Sequence, residues 1–390
     1  MSRAAATVLL GILGLHSGDA RAQAAVVDMT KAESGNRVSF SAIAGVVELA
    51  DGRIVVHDPI DAEVRIVERD LSGSKQLVRS GSGPSEAMIA YRLVADGLGG
   101  VLIVDRVGSR VIEVDAAGRV SGQWREAGGR TCLGSARTTT IRFVLADGRF
   151  FTQGPPIATR TNGVREAVPE TAIERWRNRC EADTLATTPF RLPANPVVIG
   201  NSVAGSGTSR LAPEPFEPST EWAVDARGRV AILTPFPYQL RVVEEGRTTS
   251  IHTLTATRVA VSADHRRAWL EEQRAPRPAT IITRGGRASS SMQREAIEEP
   301  RNWPAVLPPF LAGATTISPL GDVWIRRTVE FGKPSLYDVV NLDSGLIAQV
   351  RFERNARVVA VTRTHVLLAL SDEDDLQTLE RRTLPAPVAR

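Results

Sequence analysis

Few residues in this chain have the types and spacing that chemistry needs. The most suggestive pair is His57-Asp58, because an imidazole beside a carboxylate can act as a general base. Neighbours at a strand end point to opposite sides, however, so a plain turn is the stronger expectation. Arg326-Arg327 and Arg92 could meet an anionic ligand bidentately. The acidic run Asp372-Glu373-Asp374-Asp375 lacks the alternating ligands and turn glycine of a calcium loop and reads as a solvated hairpin tip. No His-Glu-x-x-His or Cys-x-x-Cys spacing for zinc occurs. A Gly-x-Ser-x-Gly elbow, a P-loop and a dinucleotide fingerprint are absent too. No cofactor and no metal are expected, and no catalytic residue can be named.

Composition sets the class. The chain has 390 residues, of which 42% are hydrophobic and 24% charged, as in soluble globular proteins. Of its 48 lysines and arginines, all but Lys31, Lys75 and Lys333 are arginine, yet the net charge is only +4. With 5% aromatic residues and no basic block, a nucleic-acid interface is not expected. Such an even spread of arginine points to a property of the whole chain and to no particular site.

The N-terminus reads Met-Ser-Arg, then an apolar run from Ala4 to Leu15, then Ala20-Arg21-Ala22-Gln23-Ala24. A basic start, a short apolar segment and small-x-small sites describe a secretory signal peptide over residues 1–22, or to 24 by the second site. A span would need roughly 20 apolar residues. The mature chain, 25–390, is therefore expected to be exported to the periplasm or beyond, without a membrane span and as a monomer. Cys132 and Cys180 are the only cysteines. An exported chain with an even count favours a bridge between them.

Strands must position whatever site exists. Val46-Val47-Glu48-Leu49-Ala50, Asp51-Gly52, Arg53-Ile54-Val55-Val56, a polar turn, and Val64-Arg65-Ile66-Val67 form hairpins in series. The pattern returns around Gly99, Gly148, Gly228 and Gly321, with a weaker sixth copy from Val358 to Leu384. Gly52, Gly99 and Gly148 are one unit apart at about 40–50 residues, the period of four-stranded propeller blades. The next two intervals are nearly double and mark insertions at about 154–170 and 255–312. Six units fit, giving an all-β, six-bladed β-propeller. The last unit is one strand short, and the segment from Ala25 to Phe40 can supply it and close the ring. Within the second insertion, Ser262 to Arg274 reads as a helix with Ser262 as N-cap. Ser289 to Glu299 reads as another, followed by a proline-rich stretch from Trp303 to Pro309.

The run from Val101 to Asp105, continued by Arg110 to Gly118, resembles an NHL-type repeat. Gly81-Ser82-Gly83-Pro84-Ser85-Glu86 is similar to the Gly-x-Gly-Pro-x-Glu inter-blade loop of secreted bacterial six-bladed propellers related to the NHL and TolB-like groups. Gly321 to Gly345 is similar to their penultimate blade. The resemblance covers most of residues 45–384, with blade three departing furthest. It implies that Asp105 with Arg110 stabilises its own hairpin. It leaves function open, since these propellers include binding proteins as well as lyases and hydrolases.

If the innermost strand of each blade runs first, turns between strands two and three share a face with the inter-blade connections. Asp58, Asp105, Gly154, Thr234 and Arg327, six residues after each turn glycine, would ring the channel mouth there. Both insertions emerge on that face. The candidate ligand-binding set is His57, Asp58, Asp105, Arg106, Thr234, Arg326 and Arg327. The reading is an exported, non-catalytic propeller that binds a small-molecule ligand or a protein partner on the insertion-bearing face. The alternative is a metal-dependent lyase or lactonase-type hydrolase, its divalent metal held by channel-facing Asp, Glu or His.

Overall fold

The second and third strands of the repeats read as nearly unbroken apolar runs because neither of their faces meets water. In Ile54–Asp58 every residue is buried. Ile54 and Val56 pack on one neighbouring sheet with Leu367 and Leu379. Val55 points the other way, to Val101 and Ile103. Each fully buried branched side chain contributes about 1.5–3 kcal/mol, so a strand covered on both faces is worth much more than an exposed one.

The computed structural model describes residues 26–30, 35–83, 85–87, 90–105, 110–125, 141–154, 159–161, 164–166, 170–178, 180–189, 214–274, 277–282, 288–293, 299–386 and 388. The expected signal segment, Arg106 and Cys132 lie outside these residues. The strands form a six-bladed β-propeller. Blade one comprises Gly45–Glu48, Ile54–Asp58, Glu63–Val67 and Ser74–Ser80, with a short fold-back strand, Glu86–Ala87. Blade two comprises Ala90–Ala95, Val101–Asp105, Arg110–Val114 and Val120–Arg125. Blade three comprises Ile141–Val144, Phe150–Gln153, Glu170–Trp176 and Ala182–Pro189. Blade four comprises Glu221–Val224, Val230–Pro235, Tyr238–Glu244 and Arg247–Thr253. Blade five runs Thr315–Ile317, Asp322–Arg326, Ser335–Asn341 and Gly345–Phe352, and blade six Ala356–Val361, His365–Ser371 and Gln377–Thr383.

The chain's beginning completes both final blades. Val38–Phe40 pairs antiparallel with Gln377–Leu379 as the fourth strand of blade six. Val26–Asp28 lies parallel to Gln349–Arg351 as a fifth strand of blade five, an addition the repeat pattern does not announce. The first strands of neighbouring blades contact one another, including Gly45–Glu48 with Ala90–Ala95 and with Ala356–Val361, so each blade does start at its inner edge. Turns between strands two and three, and the inter-blade connections, therefore form one face, called upper here. Turns between strands one and two, and between three and four, form the lower face.

The turn glycines are explained by the backbone. Gly52, Gly99, Gly148, Gly228 and Gly321 all have φ between +81° and +95°, the left-handed region that favours glycine. At Gly99 a side chain would also come within 2.5 Å of the Ala50 Cβ on the preceding blade.

Both insertions carry structure of their own. Thr159–Thr161 and Val164–Glu166 form a small hairpin between the second and third strands of blade three. In the second, the helix α1, Ala263–Arg274, follows Ser262 as expected. Where a helix is expected from Ser289, the chain is instead a strand, Ala288–Gln293, paired antiparallel with Arg277–Ile282, and residues 294–298 of that expectation lie outside the described residues. Three consecutive serines offer the backbone competing hydrogen bonds and favour no helix. The β-branched run Thr280-Ile281-Ile282 supplies the partner strand. No helix among the described residues is long and apolar enough to cross a membrane.

Ring closure makes Phe40 an unusually costly side chain to lose. It is buried with Ile43, Ile54, Leu71, Leu367 and Leu379, which belong to the first blade, the last blade and the segments joining them. Phe40→Ala is expected to lower stability by about 3–5 kcal/mol, read as a shift of the urea midpoint at unchanged slope.

Candidate functional site

Asp58 and Asp105 end their second strands at the upper face, as their spacing requires, but both are fully buried. Asp58 accepts hydrogen bonds from the backbone N–H groups of Ser41 at 2.8 Å, Ala42 at 3.3 Å, Ile60 at 3.0 Å and Asp61 at 3.2 Å. It thereby ties the connection entering blade one to that blade's own turn. Asp105 accepts from Arg110 Nε at 3.0 Å. The same guanidinium donates to the carbonyls of Gly81 at 3.1 Å, Ser82 at 3.2 Å and Gly83 at 2.9 Å, and to that of Glu86. The inter-blade loop is thus wrapped around one buried cation, and the pair does more than steady its own hairpin. Glu86 keeps the loop's shape, accepting from Gly83 N–H at 2.8 Å and from Arg79 at 2.7 Å.

Blade five uses the same device with the charges exchanged. Arg327 donates to the Thr255 carbonyl at 3.0 Å and to Asp338 Oδ2 at 2.8 Å. Asp338 also accepts from the Tyr238 hydroxyl at 2.7 Å and from Gln349 at 2.7 Å. The guanidinium lies 5.3 Å from the centroid of the Tyr238 ring. Burial and the Asp338 charge hold the Tyr238 hydroxyl above the ordinary phenol range, so it stays a donor. Thr234 closes the adjoining turn of blade four through Pro237 O at 2.9 Å. Thr234 and Arg327 therefore meet at one seam, through Tyr238, while Asp58 and Asp105 sit at two others. Arg326 is exposed at the end of its strand.

His57 is buried with its Nδ1 unpartnered. Burial pushes its pKa down to about 4, which makes it neutral and ill-suited to accept a proton near neutrality. The sequence-derived set thus consists mostly of fasteners inside the blades. Sequence reasoning missed Tyr238 and Asp338 and, Arg92 apart, the upper ends of the inner strands, where side chains reach across to the next blade. Arg92 donates to the Ile141 carbonyl at 3.2 Å, Arg142 lies 5.2 Å from the Trp222 ring centroid, and Arg357 donates to the Ile43 carbonyl at 2.6 Å. Glu221 accepts from Gly313 N–H at 2.8 Å.

The second insertion is packed down on the upper face over blades four and five. Ser262 Oγ accepts from the His265 backbone N–H at 3.3 Å, the expected N-cap. From α1, Trp269 meets Trp303 edge-on with centroids 5.5 Å apart, and Arg266 covers the same ring. His265 reaches Phe331 in the upper turn of blade five at 5.8 Å. Phe216, in the connection entering blade four, also packs on Trp303. Leu307 N–H donates to Val259 O at 2.8 Å and Thr328 N–H to Pro309 O at 2.9 Å, fixing both ends.

Apolar side chains stand out around this packed cap. Ile60 is 47% exposed, Phe236 68%, Phe331 42% and Leu376 45%, each in the turn between strands two and three of its blade. Val306 of the insertion joins them. Among the described residues no group of three or more His, Cys, Asp or Glu side chains converges as a metal site. Cys180 is disulfide-bonded.

Removing one half of the buried pair separates its cost from its net worth. Arg110→Met strands a buried carboxylate and is expected to cost about 3–5 kcal/mol, whereas Arg110→Met with Asp105→Leu recovers only the part due to that carboxylate, because the loop carbonyls that Arg110 holds stay unanswered. Urea unfolding of the two variants checks it.

His57 carries a pH prediction. Its folded pKa lies below the unfolded value of 6.5, so the unfolded chain binds the extra proton first. The stabilisation is complete above pH 6.5 and is lost as pH falls from there to about 4, by about 3 kcal/mol in all. His57→Gln should lack that slope when urea unfolding is compared across this range.

No protein-family model matches the chain, and no curated protein does. Solved structures do resemble it. A member of the DUF4221 family from Bacteroides vulgatus aligns over 91% of this chain and 98% of its own, with 9% identity and a TM-score of 0.45. The calcium-binding protein regucalcin from Agrobacterium tumefaciens aligns over 94% and 100%, with 11% identity and a TM-score of 0.38. A catalytically inactive virginiamycin B lyase from Staphylococcus aureus, solved with quinupristin, aligns over 90% and 97%, with 12% identity and a TM-score of 0.36. At these identities and scores the likeness is one of architecture alone.

Proposed function

We propose that this chain is an exported, non-catalytic propeller that holds a partner protein or ligand on its upper face. The observation that carries this reading is the set of exposed apolar tips. Ile60, Phe236, Phe331 and Leu376 come from blades one, four, five and six, and all four lie on the face that also carries the second insertion. Large apolar side chains exposed on one face offer anchor points that a partner can cover. Aromatic anchors in particular carry binding energy when a partner covers them.

The candidate residues support a binding reading over a catalytic one. Asp58, Asp105 and Arg327 spend their charges on the fold, and His57 is held neutral. Export is supported by the N-terminal residue pattern, with residues 1–22 as the removed segment, and by a disulfide-bonded Cys180, which suits an oxidising compartment.

Photo-crosslinking in the producing cell tests this. A photoreactive residue at 236 or 331 is expected to give a discrete adduct, and deletion of 258–308 to remove it. Leu98, more exposed at 71% but on the lower face, is the control. Adducts from position 98 alone, or none from 236 and 331, would overturn the assignment. Phe236→Ser with Phe331→Ser should weaken capture about tenfold or more.

A further inference from the structure

The lower face, opposite the insertions, holds an open hollow of about 620 Å³ at the seam between blades six and one. That volume suits a small ligand. Its lining is Glu68, Arg69, Asp70, Ser72, His365 and Arg381. A second cavity of about 190 Å³ shares Arg69, Asp70, His365 and Arg381 with it and extends to Asn36. Four separate stretches of chain converge here: the outer turn of blade one, the inner turn and third strand of blade six, and the segment preceding Val38.

Side chains of both charges line this seam. Arg381 donates through Nη2 to Glu48 at 3.3 Å and to the Gly52 carbonyl at 3.0 Å, while its Nε is buried without an acceptor. Burial and the neighbouring Arg69 hold the Arg381 pKa below its ordinary value. Arg69 is exposed and forms no ion pair among the described residues. Two of the nearby carboxylates have partners of their own. Glu380 is held by Arg382 at 2.7 Å and Arg37 at 2.8 Å. Asp70 accepts from the Ser72 N–H of its own turn at 3.0 Å. Glu48 is partly desolvated, and that burial raises its pKa. Two guanidinium groups, Arg69 and Arg381, therefore line one cavity with the carboxylates Glu68 and Asp70, while Glu48, outside that lining, answers Arg381.

We propose that this seam cavity binds a small organic ligand through an oxyanion, carboxylate or phosphate, received by Arg69 and Arg381. Guanidinium forks match both anions in geometry. Glu68, Asp70 and Ser72 on the rim then face the ligand's hydroxyl or ammonium groups. Because the cavity bridges the first and last blades, an occupant also ties the two ends of the ring together, and binding must raise stability by linkage.

Calorimetric titration of the purified full chain with sodium phosphate, and separately with sodium malonate, at constant ionic strength tests this. Binding of at least one anion, with a matching rise in Tm, is expected, and the stronger of the two assigns the oxyanion class. Arg69→Ala, a change at an exposed side chain, should weaken that binding about tenfold or more, whereas Lys333→Ala on the upper face should leave it unchanged. Heat and Tm unaffected by either anion would overturn the proposal. So would binding that Arg69→Ala leaves intact, because the anion would then lie elsewhere.

Discussion

Each blade presents two apolar faces, and only a neighbour on each side can cover them. That requirement forces the sheets into a ring and makes closure a condition for every other contact. The first and last blades are joined where Val38–Phe40 becomes the outer strand of a sheet built from residues 356–383. Arg381 reaches from blade six to Glu48 and Gly52 of blade one across the same seam. Opening this seam would expose Ile54, Val56, Leu367 and Leu379 at once.

Arginine contacts repeat the closure logic between blades. Arg53 donates to the Ala117 carbonyl of blade two at 2.7 Å. Arg175 pairs with Glu245 of blade four, and Arg229 with Asp343 of blade five. Arg382 binds Glu353 in the connection from blade five at 2.6 Å. A guanidinium has five donors in a rigid fork and can hold a local carboxylate and a distant acceptor together, which a lysine ammonium does less well. The shortage of lysine thus has a structural side. Many arginines are assigned to seams, even though none of these marks a ligand site by itself.

Much of the fold was legible because glycine with positive φ has few substitutes. Gly52, Gly99 and Gly148 fixed the period, and its lengthening toward Gly228 and Gly321 located the insertions. Blade six was faint because its inner turn, closed by Thr362 N–H to His365 O at 2.8 Å, uses no glycine. The dipeptide Gly-Arg at 52–53, 118–119, 148–149 and 228–229 was a further signal, since each of these arginines pairs with an aspartate of the same turn. The strand at Ala288–Gln293 owes its form to pairing with Arg277–Ile282, a contact that a helical reading of Ser289 onward does not see. Site reading fared less well. Spacing placed Asp58, Asp105 and Arg327 at the correct end of their strands, but partners such as Ser41, Glu86 and Thr255 come from other segments, and sequence order says nothing of those contacts.

The central claim is that the ring behaves as one closed body whose seam is as stable as its blades. Amide hydrogen exchange of the intact protein tests it most directly. The account predicts that Val38–Phe40 and Gln377–Thr383 exchange only at the slow rate of global unfolding, together with the buried strand Val230–Pro235. Fast local exchange at Val38–Phe40 and Gln377–Thr383, with Val230–Pro235 still protected, would contradict it and show a ring that opens at its closure.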